Sequence, residues 1–343
     1  MQETSFKASL IAGAPQPYPA ELRHEPRAIS GFRPVRVPHL GLYFGVLQQV
    51  ISEQDRHPGS RYSLIADWHA VTAWFGRQDL QQATLATAGA LLALGVNPNK
   101  TFLFAQSHVS ALGDMAWLLS CMTPESILLR NPSTDHLALN KNNVGAILYP
   151  VLMAADVLSI RGTSVIIARD QIVNGRKVRQ IARAANRVME FPLFPVPSVV
   201  VRDGVGHGAD TTKGDAERHV PIFASLRELS ACIQQIPTGI QGAREPKAPD
   251  ACAIFRLYSM TAPPDDVQEM RMRYVSGQVS YDEAKRALII AIVERFSDAV
   301  ERFQEWQKRP DDVRDVLRNG ARVVAGEVAA TVALIREKLG LAL

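Results

Sequence analysis

Polar side chains that can bind a ligand or transfer a proton follow three short apolar runs of the sequence. The runs at 62–65, 101–104 and 164–167 are rich in β-branched and aromatic residues, which is typical of buried strands. In an open parallel sheet, ligands bind beyond the carboxyl ends of the strands. The residues just after the runs are therefore candidate site residues: Asp67, His69, Gln106, Ser107, His108, Asp170 and Gln171.

A further carboxylate, Asp156, lies within an otherwise apolar stretch that predicts a helix over 151–158. Burying a carboxylate costs several kcal/mol unless a donor meets it. The donor can belong to a neighbouring helix that the carboxylate caps or to a ligand, and the residues alone leave both open. His69 likewise fits a hydrogen-bonded core histidine as well as it fits a ligand contact.

These residues need elements that bring them together. The apolar runs alternate with longer stretches of helical period, such as 40–52 and 79–94. This alternation predicts a doubly wound α/β domain, with a parallel sheet and crossover helices, over residues 28–205. Residues 1–27 contain four prolines and no period, which predicts an extended N-terminal extension. After Pro197 we expect no further strand, and the four glycines of 204–214 predict a mobile loop.

Residues 206–311 are predicted to form a loop and a helical domain, and 312–343 a last helix that packs back on the first domain. Ser280 and Glu283 have the spacing of a capping box at a helix start. Apolar residues then recur every three or four positions, as on one packed helix face. They are Leu288, Ile292, Phe296, Ala299, Phe303 and Trp306 in one helix and Val313, Leu317, Val324, Val328, Ile335 and Leu339 in the last.

Composition excludes several classes of protein. The chain has 343 residues, of which 47% are hydrophobic and 21% charged, so it is neither disordered nor collagen-like. Its three widely spaced cysteines, Cys121, Cys232 and Cys252, predict buried reduced thiols rather than disulfides or a metal site. With no apolar run long enough for a membrane helix and no secretory leader, we expect a cytoplasmic protein without a membrane partner. The net charge of +4 does not by itself indicate a nucleic-acid partner.

Four motifs occur in one order along the chain. They are 30–34 (SGFRP) with 39–45 (HLGLYFG), 65–70 (IADWHA), 106–109 (QSHV) with 117–120 (WLLS), and 149–156 (YPVLMAAD) ahead of Asp170 and Gln171. Together they resemble the class I tryptophanyl-tRNA synthetases, from about residue 29 to the C-terminus. The resemblance implies a Rossmann-like catalytic domain with a helical domain, a homodimer, and L-tryptophan or an indole analogue as ligand.

By this resemblance the amino-acid pocket is preserved. Asp156 accepts a hydrogen bond from the indole nitrogen, which can only donate. Tyr149 and Gln171 hold the α-amino group, Met153 packs on the ring, and His69 lies beside the ligand.

The nucleotide side departs from the family. The resemblance implies that ATP with Mg binds at the N-terminus of the first helix. The nucleotide-binding residues that it implies are Gly31, Pro34, Arg36, His39, Gly41 and Asp170. Val35 and Arg36 replace a hydroxyl residue and a glycine, and Leu42 replaces a polar residue. The mobile lysine motif falls on 211–215, where only the displaced Lys213 remains, so His39 and Lys213 are the candidate catalytic residues.

Two functions follow from this mixture. The first is a tryptophan-binding relative whose ordinary ATP chemistry is lost or redirected, acting as a regulator or as an accessory enzyme on tryptophan. The second is an active tryptophan–tRNA ligase with a rebuilt phosphate site. Each charged hydrogen bond is worth about 1.5–3 kcal/mol, so losing two or three slows adenylation by several orders of magnitude and favours the first. We expect weak tRNA binding at most, no tightly bound cofactor and no metal site.

Overall fold

The computed structural model describes residues 25–34, 38–54, 60–74, 79–129, 143–201 and 219–341. Within these ranges the centre of the molecule is one sheet, and all its strand pairings are parallel. The order β3-β2-β1-β4-β5 reverses direction between β1 and β4, which confirms the predicted doubly wound sheet. The strands are β1 (Arg27–Phe32), β2 (Ser60–Ile65), β3 (Phe102–Ala105), β4 (Ser164–Ile167) and β5 (Ser198–Val201).

Two expectations at the ends of this domain are wrong. A strand does follow Pro197, because β5 pairs with β4 from Ser198 to Val201. Its three valines form a run too short to identify as a strand without the neighbouring β4. Arg27 does not belong to an extended arm but begins β1, where its backbone N–H donates to the Thr163 hydroxyl oxygen at 2.9 Å. Residues 1–24 lie outside the described residues, and the division into domains stays a prediction.

Helices cover both faces of the sheet. They are α1 (Leu40–Leu42), α2 (Gln48–Gln54), α3 (Asp67–Trp74), α4 (Leu80–Ala93), α5 (Ala111–Met122), α6 (Glu125–Leu129), α7 (Val144–Leu158) and α8 (Ile172–Val188). Between α1 and α2 the chain stays helical over Tyr43–Leu47, with the wider turns of a π-helix. Because strand side chains alternate, Leu64 packs with α5, α7 and α8 whereas Ile65 packs with α1, α2 and α4.

The second face of the sheet shares its core with the helical domain. This domain contains α9 (Leu226–Gln234), α10 (Ala253–Thr261), α11 (Pro264–Ser276) and α12 (Tyr281–Lys308). The predicted capping box is confirmed, since the Glu283 backbone N–H donates to the Ser280 hydroxyl and the Ser280 N–H to the Glu283 carboxylate. The predicted apolar face is also confirmed, and its Phe296 ring lies edge-on to Tyr43 at 5.0 Å.

The last helix, α13 (Pro310–Lys338), packs against the edge strand β3. It therefore returns to the sheet domain as predicted, although it begins at Pro310 rather than at Asp312. Five of its six predicted core residues are buried, but Leu339 lies beyond the helix end and is 38% exposed. The apolar period of the sequence therefore continues just beyond the end of the helix at Lys338.

The cysteine prediction is only partly right. The three thiols are free, but Cys121 is exposed and Cys232 is half-buried, so Cys252 alone fits the expected buried site. In the described part of the chain, no helix combines the length and the low polarity that crossing a bilayer requires.

Candidate functional site

The site is built where β2 and β3 end and where α7 passes them. Asp156 of α7 is almost fully buried, and both of its carboxylate oxygens have partners. Its Oδ2 lies 3.1 Å from Nε2 of His69, which follows β2, and its Oδ1 accepts a hydrogen bond from the Gln106 amide at 2.7 Å. A carboxylate offers about four acceptor positions, so these two contacts leave capacity for a further N–H donor.

Burial dominates the electrostatics of this cluster. Removal from water raises the pKa of Asp156, whereas the hydrogen bonds from His69 and Gln106 act in the opposite direction and lower it. The other ring nitrogen of His69, Nδ1, is buried and has no hydrogen-bond partner among the described residues. The cluster therefore contains a carboxylate that gains from another donor and a ring nitrogen without a partner.

Tyr149 and Met153 line the same face of α7 as Asp156, because positions i, i+4 and i+7 of a helix lie above one another. The Tyr149 ring is 4.2 Å from the His69 ring, centroid to centroid. Burial raises the pKa of Tyr149. The positive charge of Arg33 lowers this pKa, whereas the negative charges of Asp156 and Asp170 raise it further. Arg33 follows β1 and Asp170 follows β4, so groups at the ends of both central strands act on this phenol.

Gln171 lies in a short turn, Arg169–Gln171, that joins β4 to α8. Its amide donates to Asp170 at 3.0 Å and its carbonyl oxygen accepts from Asn174 at 2.9 Å. Asn174 is buried, and its own side-chain oxygen has no hydrogen-bond partner among the described residues. Gln171 is thus oriented from both sides, as a residue that positions a ligand would be.

Asp67 has a different role from its neighbour His69. Its carboxylate accepts from the backbone N–H groups of Trp68 and Ser107, both at 3.0 Å, and from the Ser107 hydroxyl at 2.5 Å. These bonds hold the turn Gln106–His108 against the start of α3. Asp67 therefore positions Gln106, and its negative charge adds to the rise in the pKa of Asp156.

The nucleotide side is described in part. His39 caps α1, because its Nδ1 accepts from the Leu42 N–H at 3.1 Å. The segment 219–222 lies beside it, with Val220 accepting from the Leu40 N–H at 2.9 Å and the His219 ring 5.1 Å from the His39 ring. Residues that follow the glycine-rich stretch therefore reach the first helix.

The remaining predicted nucleotide residues are placed as follows. Gly31 is exposed within β1, Pro34 is buried just after it, Gly41 is half-buried in α1, and Asp170 is exposed. A Cβ at Gly31 would make only ordinary contact with Leu64 at 3.7 Å, so packing within the chain does not require glycine there. Arg36 and Lys213 lie outside the described residues.

Sequence reasoning assigned no ligand-binding role to two residues that the structure brings to the site. Gln106 was identified only as a strand-end residue, and Arg33 only as part of a motif. The signal for Gln106 was present, because it directly follows β3, the strand next to β2, and His69 lies just beyond the end of β2, but its contact with Asp156 depends on the position of α7.

A doubly wound sheet with polar groups beyond β1, β2, β3 and β4 defines a protein of the nucleotide-binding α/β class. The family model of the class I tRNA synthetases for tryptophan and tyrosine matches residues 21–297. The chain belongs to this family.

Individual relatives agree with the family. The chain is 32% identical over 302 residues to the tryptophan–tRNA ligase of Fusobacterium nucleatum, covering 86% of this chain and 92% of the relative. It is 32% identical over 317 residues to the corresponding ligase of Rhodopirellula baltica, covering 89% and 96%. The crystal structure of the Campylobacter jejuni tryptophanyl-tRNA synthetase complexed with ADP and tryptophan superposes with a TM-score of 0.79 at 28% identity, covering 92% of this chain and 100% of that one.

Proposed function

We propose that this protein binds L-tryptophan in the Asp156 cluster and that its ordinary ATP-dependent activation is lost or redirected. The main support for this proposal is the buried Asp156 carboxylate, which contacts His69 and Gln106 and can still accept another hydrogen bond. The indole N–H is a donor without acceptor capacity, which matches this carboxylate. Similarity to tryptophan–tRNA ligases supports the same ligand.

The surrounding residues have roles that fit an amino acid. In this proposal Tyr149 and Gln171 hold the α-amino group, Met153 packs on the indole ring, and His69 orients Asp156. Burial favours the uncharged form of Asp156, so an arriving N–H donor compensates the carboxylate for its lost hydration. A ligand that lacks the N–H does not provide this compensation.

The altered nucleotide side is the reason for the second half of the proposal. Leu42 is half-buried and packs against the hydrophobic core, so its side chain offers no hydrogen bond where the family has a polar residue. The family's two motif lysines are replaced by Thr211 and Gly214. Charge develops on pyrophosphate during adenylation, and fixed cations provide much of the stabilisation. A regulator, or an accessory enzyme that acts on tryptophan, fits these replacements.

The second candidate is an active tryptophan–tRNA ligase, which would use ATP with Mg. It is favoured by His39, which caps α1, by the nearby segment 219–222, and by Arg33 and Asp170 just beyond β1 and β4. Exchange of labelled pyrophosphate into ATP, with tryptophan present, separates the two candidates. We expect exchange at least about a thousandfold slower than a family ligase measured beside it, because two or three charged contacts are absent. Exchange at a comparable rate would refute the loss of ATP-dependent activation, and transfer of tryptophan to tRNA would then establish the ligase.

Tryptophan binding is tested independently of ATP by calorimetry. We expect L-tryptophan to bind and N1-methyltryptophan, which lacks the indole donor, to bind at least about tenfold more weakly. Asp156→Ala should lose tryptophan affinity by about 2–4 kcal/mol, because the partners of the carboxylate are left unpaired. Asp114→Ala, at an exposed carboxylate of α5, is the control and should bind normally. Equal affinity of Asp156→Ala and the unmodified protein would refute the assignment.

A weak interaction with tRNA remains part of the proposal. Two arginines of α13 are paired with acids of the same helix, Arg314 with Asp311 and Arg318 with Asp315. We therefore expect binding that falls steeply with salt and does not distinguish tRNA species. Selective binding of the tryptophan tRNA at physiological salt in a shift assay would favour the active ligase.

A further inference from the structure

A cavity of about 450 Å³ lies between α3, the start of α4, the turn Gln106–His108 and α13. Its volume falls in the range of small-molecule sites. Trp68, Leu80, Leu85 and Leu317 contribute an apolar wall. Arg314 and Arg318 flank Leu317 on one face of α13, and His108 ends the turn Gln106–His108, so the lining combines apolar and basic groups.

The two arginines can exchange their present partners for a ligand. Arg314 contacts Asp311 at 2.7 Å and Arg318 contacts Asp315 at 3.1 Å, each three residues back on the same helix. The side chains of these aspartates are 88% and 65% exposed, and ion pairs in such settings contribute little. A ligand carboxylate held between arginine and an apolar wall would be better shielded from water than either aspartate is.

Asp67 also lines the cavity, and its carboxylate is held by hydrogen bonds within the protein. Its oxygens accept three hydrogen bonds from Trp68 and Ser107, as described for the turn. A shallow surface depression continues along α13, shares His108 and Arg318 with this cavity, and adds Arg322. The basic groups therefore extend beyond the cavity, which favours an anion over a cation as occupant.

The cavity is separate from the Asp156 cluster although both use the same turn. His69 and Gln106 face Asp156, whereas Trp68, Ser107 and His108 line the cavity. Consecutive residues thus serve two opposite sides of the turn. An occupant of the cavity would touch the residues that position Gln106.

We propose that this cavity is a second small-molecule site, which binds an aromatic carboxylate with its ring against Trp68 and Leu317 and its carboxylate on Arg318 and Arg314. The ring buries the apolar wall and the carboxylate engages guanidinium groups, for which bidentate geometry is available.

The test is calorimetric titration of the full chain with 2-naphthoate, an aromatic carboxylate. We expect saturable binding that Arg318→Gln weakens at least about fivefold, because a charge-assisted hydrogen bond is lost. Arg309→Gln is the matched control, since Arg309 immediately precedes the same helix, pairs with Asp312 three residues away and does not line the cavity. Val71→Trp, at a partly exposed lining residue, should weaken binding by filling the space.

Further titrations distinguish binding of the complete ligand from binding of the ring alone, of the charge alone, or in the Asp156 pocket. 2-Naphthylmethanol, with the ring but no charge, and inorganic phosphate, with charge but no ring, should each bind at least about fivefold more weakly than 2-naphthoate. The proposal is overturned by absence of saturable binding or by equal binding of either partial ligand. It is also overturned if Asp156→Asn abolishes 2-naphthoate binding while Arg318→Gln leaves it unchanged, which would place the probe in the other pocket.

Discussion

Asp156 shows how a single residue combines a stability cost with a recognition role. It is buried on an apolar helix face, and two donors, from His69 and Gln106, offset only part of the desolvation of its charge. A residue selected for stability alone would be apolar at this position. The remaining acceptor capacity is useful to a ligand rather than to the fold.

At the residue scale we predict that Asp156→Asn makes the ligand-free protein more stable at pH 7, by on the order of 1 kcal/mol. Because burial raises the pKa of Asp156 in the folded state, folding favours its protonated form. Its contribution to stability is present below the ordinary pKa of an aspartate and is lost as pH rises through the raised value. Urea unfolding should therefore show an advantage of Asp156→Asn that shrinks as the pH is lowered. A variant less stable than the native chain at pH 7 would contradict this.

At the scale of elements, α13 packs closely against β3. β3 is an edge strand, and a helix over an edge removes the exposed backbone that would pair with other chains. The approach depends on Gly320, where a Cβ atom would overlap the Leu103 backbone carbonyl. Further along the helix, Glu327 accepts from the Tyr62 hydroxyl at 2.9 Å and pairs with Arg27 at 2.8 Å, joining α13 to β2 and β1.

We predict that Gly320→Ala lowers the free energy of unfolding by about 2–3 kcal/mol, because the helix has to move away from β3. Gly326→Ala is the matched control on the same helix, since a Cβ there meets nothing within 4 Å. It should leave stability unchanged or raise it by up to about 1 kcal/mol, as alanine has the higher helix propensity. Denaturant unfolding of the two variants measures both effects. Equal effects would show that the contact with Leu103 is not limiting.

At the scale of the whole molecule, large apolar side chains are exposed on two helices that pack together, α5 and α7. Trp117 of α5 is 71% exposed, and Val144 and Ile147 are exposed in the first turn of α7, which packs against α5. A tryptophan is rarely left in water without a partner surface. The exposed side chains of α5 and α7 therefore support the homodimer that the sequence resemblance implies.

We predict that the protein is a dimer at micromolar concentration and that Trp117→Glu converts it to a monomer, because a charge replaces a central apolar contact. Sedimentation equilibrium measures both. Ile240→Glu is the matched control, since Ile240 is fully exposed but lies in the helical domain, and the dimer should persist. A monomeric native chain would refute the dimer, and dissociation by Ile240→Glu alone would place the interface elsewhere.

Much of the architecture could be predicted because its signals are local. The strand at 164–167 coincides with β4, and the capping box at Ser280 coincides with the start of α12. Both follow from side-chain period and from hydrogen bonds within a few residues. β5 and the exposure of Cys121 could not be predicted in this way, because a short valine run and a cysteine acquire their environment from elements far away in sequence.

By itself the sequence determined the family, the parallel sheet and the set of polar residues at the strand ends, since motif order, periodicity and turn chemistry are written along the chain. Only the tertiary structure decided how these residues are divided between the Asp156 cluster and the cavity beside α13. It paired Asp156 with His69 and Gln106, turned Asp67 to Ser107, and placed the arginines of α13 across a cavity from Trp68. The physical reason is that hydrogen bonds and cavities depend on distances of a few ångströms between helices and strands, and those distances are set by packing of the whole core.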